Sequence, residues 1–225
     1  PNGSIQYDRS PYGNDGTQVD TANCNVTLGK YGVGCEFDGT DDFINISGYS
    51  EATPSLTLEV WFKWTNSGTA SSQVLIQQEN FGGNTGRSLF TIRDNIDDTL
   101  RSNLGEADLS SNIIPELGRW YHAAITFDGS NLIIYVDGVK RNSATDTLEC
   151  NNCPLLIGTG KSNAGPFEGS IDELRVYKRA LAPEEIRTHY LRGKGFGASG
   201  AITADKFRVV NTSGSRTMEL NGTAF

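Results

Sequence analysis

Carboxylates gather at two places where a hard cation could be held. Asp38, Asp41 and Asp42 surround a tight turn, Asp38-Gly39-Thr40-Asp41-Asp42, and Asp172 and Glu173 stand side by side much later. Calcium takes about six to eight oxygen ligands, often mixing carboxylates with backbone carbonyls, so clustered Asp at a turn is the donor set it needs. Asp also caps turns with no metal present, and that reading stays open. A third group, Asp94, Asp97 and Asp98, reads as solvated loop charge. Nucleophilic chemistry finds little to work with. The chain has 2 histidines, His122 and His189, and it lacks a G-x-S-x-G elbow and an H-E-x-x-H pair. The glycine-rich run from Gly193 to Gly200 lacks the Lys-Ser/Thr of a phosphate loop and reads as a linker.

The four cysteines, Cys24, Cys35, Cys150 and Cys153, allow three pairings. Pairing Cys24 with Cys35 and Cys150 with Cys153 keeps both loops short. Cys150-Asn151-Asn152-Cys153 could be a turn disulfide, a redox motif or half of a zinc site. No βαβ context supports the redox reading. Cys24 and Cys35 stand too far apart in sequence for the second C-x-x-C of a four-cysteine zinc site. Structural disulfides are the expectation, and with them an oxidising, extracellular compartment. N-x-Ser/Thr triplets at Asn2, Asn25, Asn45, Asn211 and Asn221 are candidate glycosylation sites. The chain opens on Pro1 rather than Met, which reads as a mature or trimmed product.

Composition narrows the partners. With 19 Lys and Arg against 27 Asp and Glu the formal charge is −8, and an acidic surface repels phosphate backbones, so nucleic acid is not expected. No apolar run approaches the roughly 18 residues of a membrane span.

The elements that must position these residues are mostly strands. Residues 55–64 alternate polar with apolar or aromatic side chains, the pattern of a half-buried strand. Residues 73–77 and 88–93 read as shorter strands. Residues 120–127 end at Asp128-Gly129, and 132–136 end at Asp137-Gly138 before another strand from Val139. Asp-Gly between β-rich runs signals a hairpin, because glycine supplies the positive φ of a tight turn. Short, evenly spaced strands indicate a sandwich or jelly roll rather than a parallel α/β fold. One helix is expected over 181–191, with Pro183 near its start, Glu184 and Glu185 at the positive end of its dipole, and Leu181, Ile186 and Tyr190 as its apolar stripe. A main domain over residues 1–195 is expected, followed by a Gly-rich linker and β-competent tail over 196–225.

Several blocks then resemble a known family. Cys35 to Ile44 resembles the "FDGxDDxI" signature of laminin-G-like, concanavalin A-like jelly-roll domains. Arg119 to Gly129 resembles their "W-x-H-x-A-x-T-[FY]-D-G" strand, Tyr135 to Gly138 their "YVDG" turn, and Phe167 to Leu181 their closing strand and helix. The resemblance spans roughly Asp8 to Leu191 and implies an all-β, antiparallel concanavalin A-like sandwich with one short C-terminal helix. It also implies one structural calcium, with the strand of Asp172 and Glu173 near the Asp38 turn, and Asp38 and Asp172 as leading ligands. Related sandwich glycosidases use an "E-x-D-x-E" strand. The nearest match, Glu106-Ala107-Asp108-Leu109-Ser110, lacks the final acid, so the chain is not expected to be an enzyme.

Departures from the family shape the expected function. The first strand shrinks to Pro1-Asn2-Gly3-Ser4-Ile5-Gln6-Tyr7, while the tail exceeds what a sandwich needs. A short first strand beside a spare β-competent tail points to strand donation between subunits, with Phe207, Val209, Met218 and Leu220 seated in a neighbour. The leading expectation is therefore a non-enzymatic extracellular structural subunit that self-associates into a filament or surface layer. The alternative is a calcium-dependent carbohydrate-binding or adhesion module. In that case Trp64, with Tyr49, Phe81 and Tyr12, forms a glycan-stacking platform beside the polar loop from Gln78 to Arg87, and Trp61 and Trp120 belong to the core.

Overall fold

Runs of alternating apolar residues force chain segments to lie with one face toward a shared interior, and here they pair into two antiparallel sheets. The computed structural model describes residues 5–25, 28–47, 49, 55–66, 72–78, 87–92, 97–105, 107–147 and 153–194. In chain order the strands are β1 (Ile5–Gln6), β2 (Gly16–Val19), β3 (Asn23–Asn25), β4 (Gly34–Asp38), β5 (Phe43–Ile46), β6 (Leu56–Trp64), β7 (Gln73–Gln78) and β8 (Arg87–Ile92). They continue with β9 (Leu100–Ser102), β10 (Leu109–Ser110), β11 (Trp120–Phe127), β12 (Asn131–Val136), β13 (Val139–Thr145), β14 (Leu155–Ile157) and β15 (Glu168–Tyr177), followed by helix α1 (Pro183–Lys194). One sheet has the order β1-β2-β5-β14-β7-β8-β9-β10 and the other β13-β12-β11-β6-β15-β4-β3. The architecture is a concanavalin A-like jelly roll.

Between the sheets lies an apolar core in which Phe37, Phe62, Trp64, Phe90, Phe127 and Phe167 are among the largest buried side chains. The hairpin from β12 to β13 turns at Asp137 and Gly138, with φ of 54° and 71°, the pair of positive values that a two-residue turn requires. β6 differs from the expected half-buried strand. It is central in its sheet, between β11 and β15, and nearly all its side chains are buried on both faces. α1 covers the second face at Glu59 and Trp61, so Glu59, which the alternation puts on a solvent side, is enclosed as well, while Lys63 further along stays partly open.

α1 starts at Pro183, whose missing N–H costs nothing at a helix start, and carries Glu184 and Glu185 in its first turn. Glu185 accepts a hydrogen bond from the Ala182 amide at 2.9 Å and a two-pronged one from Arg179 at 2.7 and 2.8 Å. Chiefly through Arg179, its carboxyl is pulled down to about 2. The expected stripe is present. Leu181 and Ile186 pack on Ala124 and Tyr135, and Tyr190 stacks on Trp61 at 5.9 Å. No helix among the described residues is long and apolar enough to cross a membrane. β1 pairs with β2 within the chain, Ile5 opposite Thr17, and forms the edge of its sheet. The tail over 196–225, with Phe207, Val209, Met218 and Leu220, lies outside the described residues.

Candidate functional site

The turn between β4 and β5 is built by its own acids. Asp38 Oδ1 accepts the Thr40 amide at 2.8 Å, and Asp42 Oδ2 accepts the Asp38 amide at 3.0 Å. Asp42 Oδ1 also accepts from Thr21 Oγ1, at 2.9 Å, which ties the neighbouring β2–β3 connection to the turn. Gly39, at φ +77°, sits against Glu168 so closely that a Cβ would lie 2.9 Å from the Glu168 Cβ. From the far side, Asn163 Nδ2 donates to the Thr40 carbonyl at 2.7 Å.

Carboxylate oxygens of Asp38, Asp41 and Asp42 lie within 4.8 Å of one another, close enough to share one ion. Asp42 is 3 % exposed and Asp38 is open to solvent, so the cluster runs from a fixed base to an accessible rim. The Asp41 carboxyl is pushed up by desolvation, by a hydrogen bond with the Asp20 carboxyl, and by the negative charges of Asp20, Asp38 and Asp42. A group of acids that repel one another and offer only oxygen donors suits a hard divalent cation.

Beside the turn is a recess of about 310 Å³. Asn23 and Glu36 are directly paired across β3 and β4, and Asp38 and Glu168 across β4 and β15. Alternate positions along these strands place those four side chains on the face away from the core. Thr21 and Thr65 complete the polar lining, and Phe37 underlies it. Glu168 is oriented by Asn66 Nδ2 at 2.6 Å. The recess thus offers carboxylate, amide and hydroxyl groups, the functions that bind sugar hydroxyls and cations.

Three expectations about the site change. Asp172 and Glu173 do not join the Asp38 turn. Antiparallel register sets Glu168 opposite Asp38, while Asp172 faces Trp61 four residues further along β15, roughly 13 Å away at strand spacing. Asp172 instead accepts the amides of Tyr31 at 2.8 Å and Glu173 at 2.7 Å, pinning the loop before β4. Burial pushes its carboxyl up, partly offset by those amides. Glu173 pairs with Arg175 beside a break in the β15–β6 register. Trp64 is 2 % exposed inside the core and offers no face to a sugar. Trp120, expected in the core, is only half-buried, with Lys63 Nζ 5.4 Å above its ring.

Other candidates fall into place unevenly. Cys24 and Cys35 face each other across β3 and β4 and form a disulfide. Cys153 is also disulfide-bonded, and Cys150 lies outside the described residues. Phe81, Asn2, Asn211 and Asn221 lie outside them too. Asn25 falls in β3, and Asn45 falls in β5 with its Oδ1 enclosed and unpaired. Tyr12 is 66 % exposed, with Lys178 Nζ 4.8 Å over its ring. Asp108, from the nearest glycosidase-like segment, is paired with Arg101 at 3.0 Å. Sequence reading passed over Glu168, Asp20, Glu36, Asn23 and Thr65. Glu168 had a signal, because it opens the closing strand of the family motif just after Phe167.

A family model described as the concanavalin A-like lectin/glucanases superfamily (Laminin_G_3) matches residues 38–187. No curated protein matches the chain in sequence. Among solved structures, domain 4 of AbnA, a GH43 extracellular arabinanase from Geobacillus stearothermophilus in complex with arabinotriose, is similar in fold. The TM-score is 0.62 and the identity 22 %, over 83 % of this chain and 86 % of that one. The native heptameric SAP-like pentraxin of Limulus polyphemus aligns at TM-score 0.56 and 18 % identity, over 69 % and 80 % of the two chains. The Botulinum neurotoxin serotype D binding domain aligns at TM-score 0.66 and 16 % identity, over 83 % of this chain and 48 % of that one.

Proposed function

The chain belongs to the laminin-G-like family of the concanavalin A-like lectin/glucanases superfamily, and from that premise we propose that residues 1–195 form a non-enzymatic, extracellular carbohydrate-binding or adhesion module whose binding site is shaped by calcium. The observation that carries this reading is the contiguity of the Asp38, Asp41 and Asp42 cluster with the polar recess, since Asp38 and Asp42 line both. Calcium on these carboxylates would neutralise the repulsion that raises Asp41 and would present an electrophilic centre to sugar hydroxyls. The arabinotriose complex of the AbnA domain supports a glycan ligand for this fold, by analogy of architecture. A non-catalytic role fits the acids themselves. Asp42 is engaged by Thr21 and Asp38, Glu168 by Asn66, and Asp108 by Arg101.

The test is titration of the chain with a panel of neutral and acidic oligosaccharides, arabino-oligosaccharides included, in calcium and then in chelator. Saturable binding that disappears in chelator and in Asp41→Asn is expected. No binding by any sugar in calcium overturns the reading. Regular filaments of the same protein by negative-stain electron microscopy would then put the strand-donating structural subunit in its place.

A further inference from the structure

Helix α1 is held to the outer face of the seven-stranded sheet by a small apolar contact and a buried polar one. The apolar part is Leu181 and Ile186 on Ala124 and Tyr135, flanked by Ile133 and Tyr177. The polar part centres on Glu59, 1 % exposed in the middle of β6. Its carboxylate lies 2.9 Å from His189 Nδ1 of α1 and 3.7 Å from His122 Nε2 of β11. From β15, Tyr177 Oη donates to it at 3.1 Å and Arg175 Nη1 stands 4.0 Å away, itself paired with Glu173. Both histidines of the chain therefore converge on one buried carboxylate. His122 Nδ1 is enclosed and has no partner, so Glu59 provides the ring's polar anchor.

A buried carboxylate is tolerated only while its hydrogen bonds are complete. Burial alone would push the Glu59 carboxyl up; the hydrogen bonds and charges of His122 and His189 outweigh that and hold it below the usual range. A carboxyl depressed in the folded state lends stability above its ordinary value, and that stability is lost as pH falls through the folded value. The loss falls unevenly. His122, Tyr177 and Arg175 belong to the sheet, whose β6 remains laddered to β11 and β15 whatever the charge on Glu59. His189 is the partner from α1, and the helix has no backbone ladder to the sheet. Its last turn rests on Trp61, with Tyr190 stacked at 5.9 Å and Gly193 so close that a Cβ would meet the indole Nε1 at 2.6 Å.

We propose that Glu59, His122 and His189 form an acid-released latch: protonation of Glu59 undocks α1 while the sandwich stays folded, uncovering Trp61, Ala124 and Tyr135 as an apolar surface. The latch lies on a different row of the sheet from the proposed glycan site and does not depend on that site.

Glu59→Gln reproduces the neutral state at neutral pH. Hydrogen bonds to a buried charge are worth about 1.5–3 kcal/mol, so amides of residues 183–194 should exchange roughly 10- to 100-fold faster in the variant, with β6 and β11 protected as before. Unchanged protection of α1 overturns the proposal. Should the variant fail to fold, an NMR titration of the wild type decides. Resonances of α1 should move to undocked positions below the ordinary carboxyl value of 4.5, ahead of those of the sheet. Loss of helix and sheet in one transition, or a helix that stays docked after Glu59 has titrated, overturns it.

Discussion

Asp41 and Asp42 both offer oxygens to the proposed ion, but Asp42 also holds the turn together, and substituting each in turn, with and without chelator, separates the two contributions. Asp42→Ala leaves the Asp38 amide and the Thr21 hydroxyl without their acceptor. Each hydrogen bond to a charged group is worth about 1.5–3 kcal/mol, less where water replaces it, as at exposed Thr21, so a loss of about 2–3 kcal/mol is expected. For a domain of this size that lowers Tm by about 4–12 °C. Asp41 sits among like charges and its carboxyl is raised, so Asp41→Asn relieves repulsion and should unfold no earlier than wild type in chelator. Calcium at about a hundred times its Kd would add about 2.7 kcal/mol to the wild type. That raises Tm by about 5–11 °C. Asp41→Asn should lose most of that rise. Differential scanning calorimetry of the three proteins, with calcium and with chelator, measures both effects. A destabilised Asp41→Asn in chelator, or one that keeps the full calcium shift, refutes the division of roles.

Three further outcomes follow from the packing. Removing the Cys24–Cys35 bond, which closes 11 residues, by Cys24→Ala with Cys35→Ala should cost about 3 kcal/mol in denaturant unfolding; a loss below about 1 kcal/mol would show that the β3–β4 ladder holds the loop unaided. Gly193→Ala should destabilise and shift Trp61 fluorescence, because the indole collision outweighs a helix-propensity gain of about 1 kcal/mol; a stabilised variant would mean that the last turn lifts freely. Asp97 is pulled from 3.8 to about 2, chiefly by Arg101, so its contribution is present above pH 4 and lost as pH falls toward 2. The pair is solvent-screened and worth at most about 1 kcal/mol, so unfolding curves of wild type and Asp97→Asn should differ slightly at neutral pH and merge near pH 2; a gap unchanged at pH 2 refutes an ionic origin.

The sequence by itself determined the longer strands, the tight turns between them and how α1 starts, while short strands such as Gly16–Val19, Leu100–Ser102 and Leu155–Ile157 carried no pattern long enough to read. The legible features depend on residues close along the chain: the alternation from Leu56 to Trp64, Asp137-Gly138 with its positive φ values, and Pro183 followed by two acids. It also determined that Asp38, Asp41 and Asp42 share a turn, since nothing more than five residues of chain is needed to bring them together. Tertiary structure decided which distant groups meet. Register, a property of two strands at once, put Glu168 rather than Asp172 opposite Asp38. Trp61 and Trp64 lie on opposite faces of β6 by parity, yet packing chose Trp64 for the core and left Trp61 to be covered by α1. Glu59 looks in sequence like one more solvent-facing residue of an alternating strand. It is buried because a helix more than a hundred residues later closes over it, bringing His189 to a carboxylate that β11 had already supplied with His122.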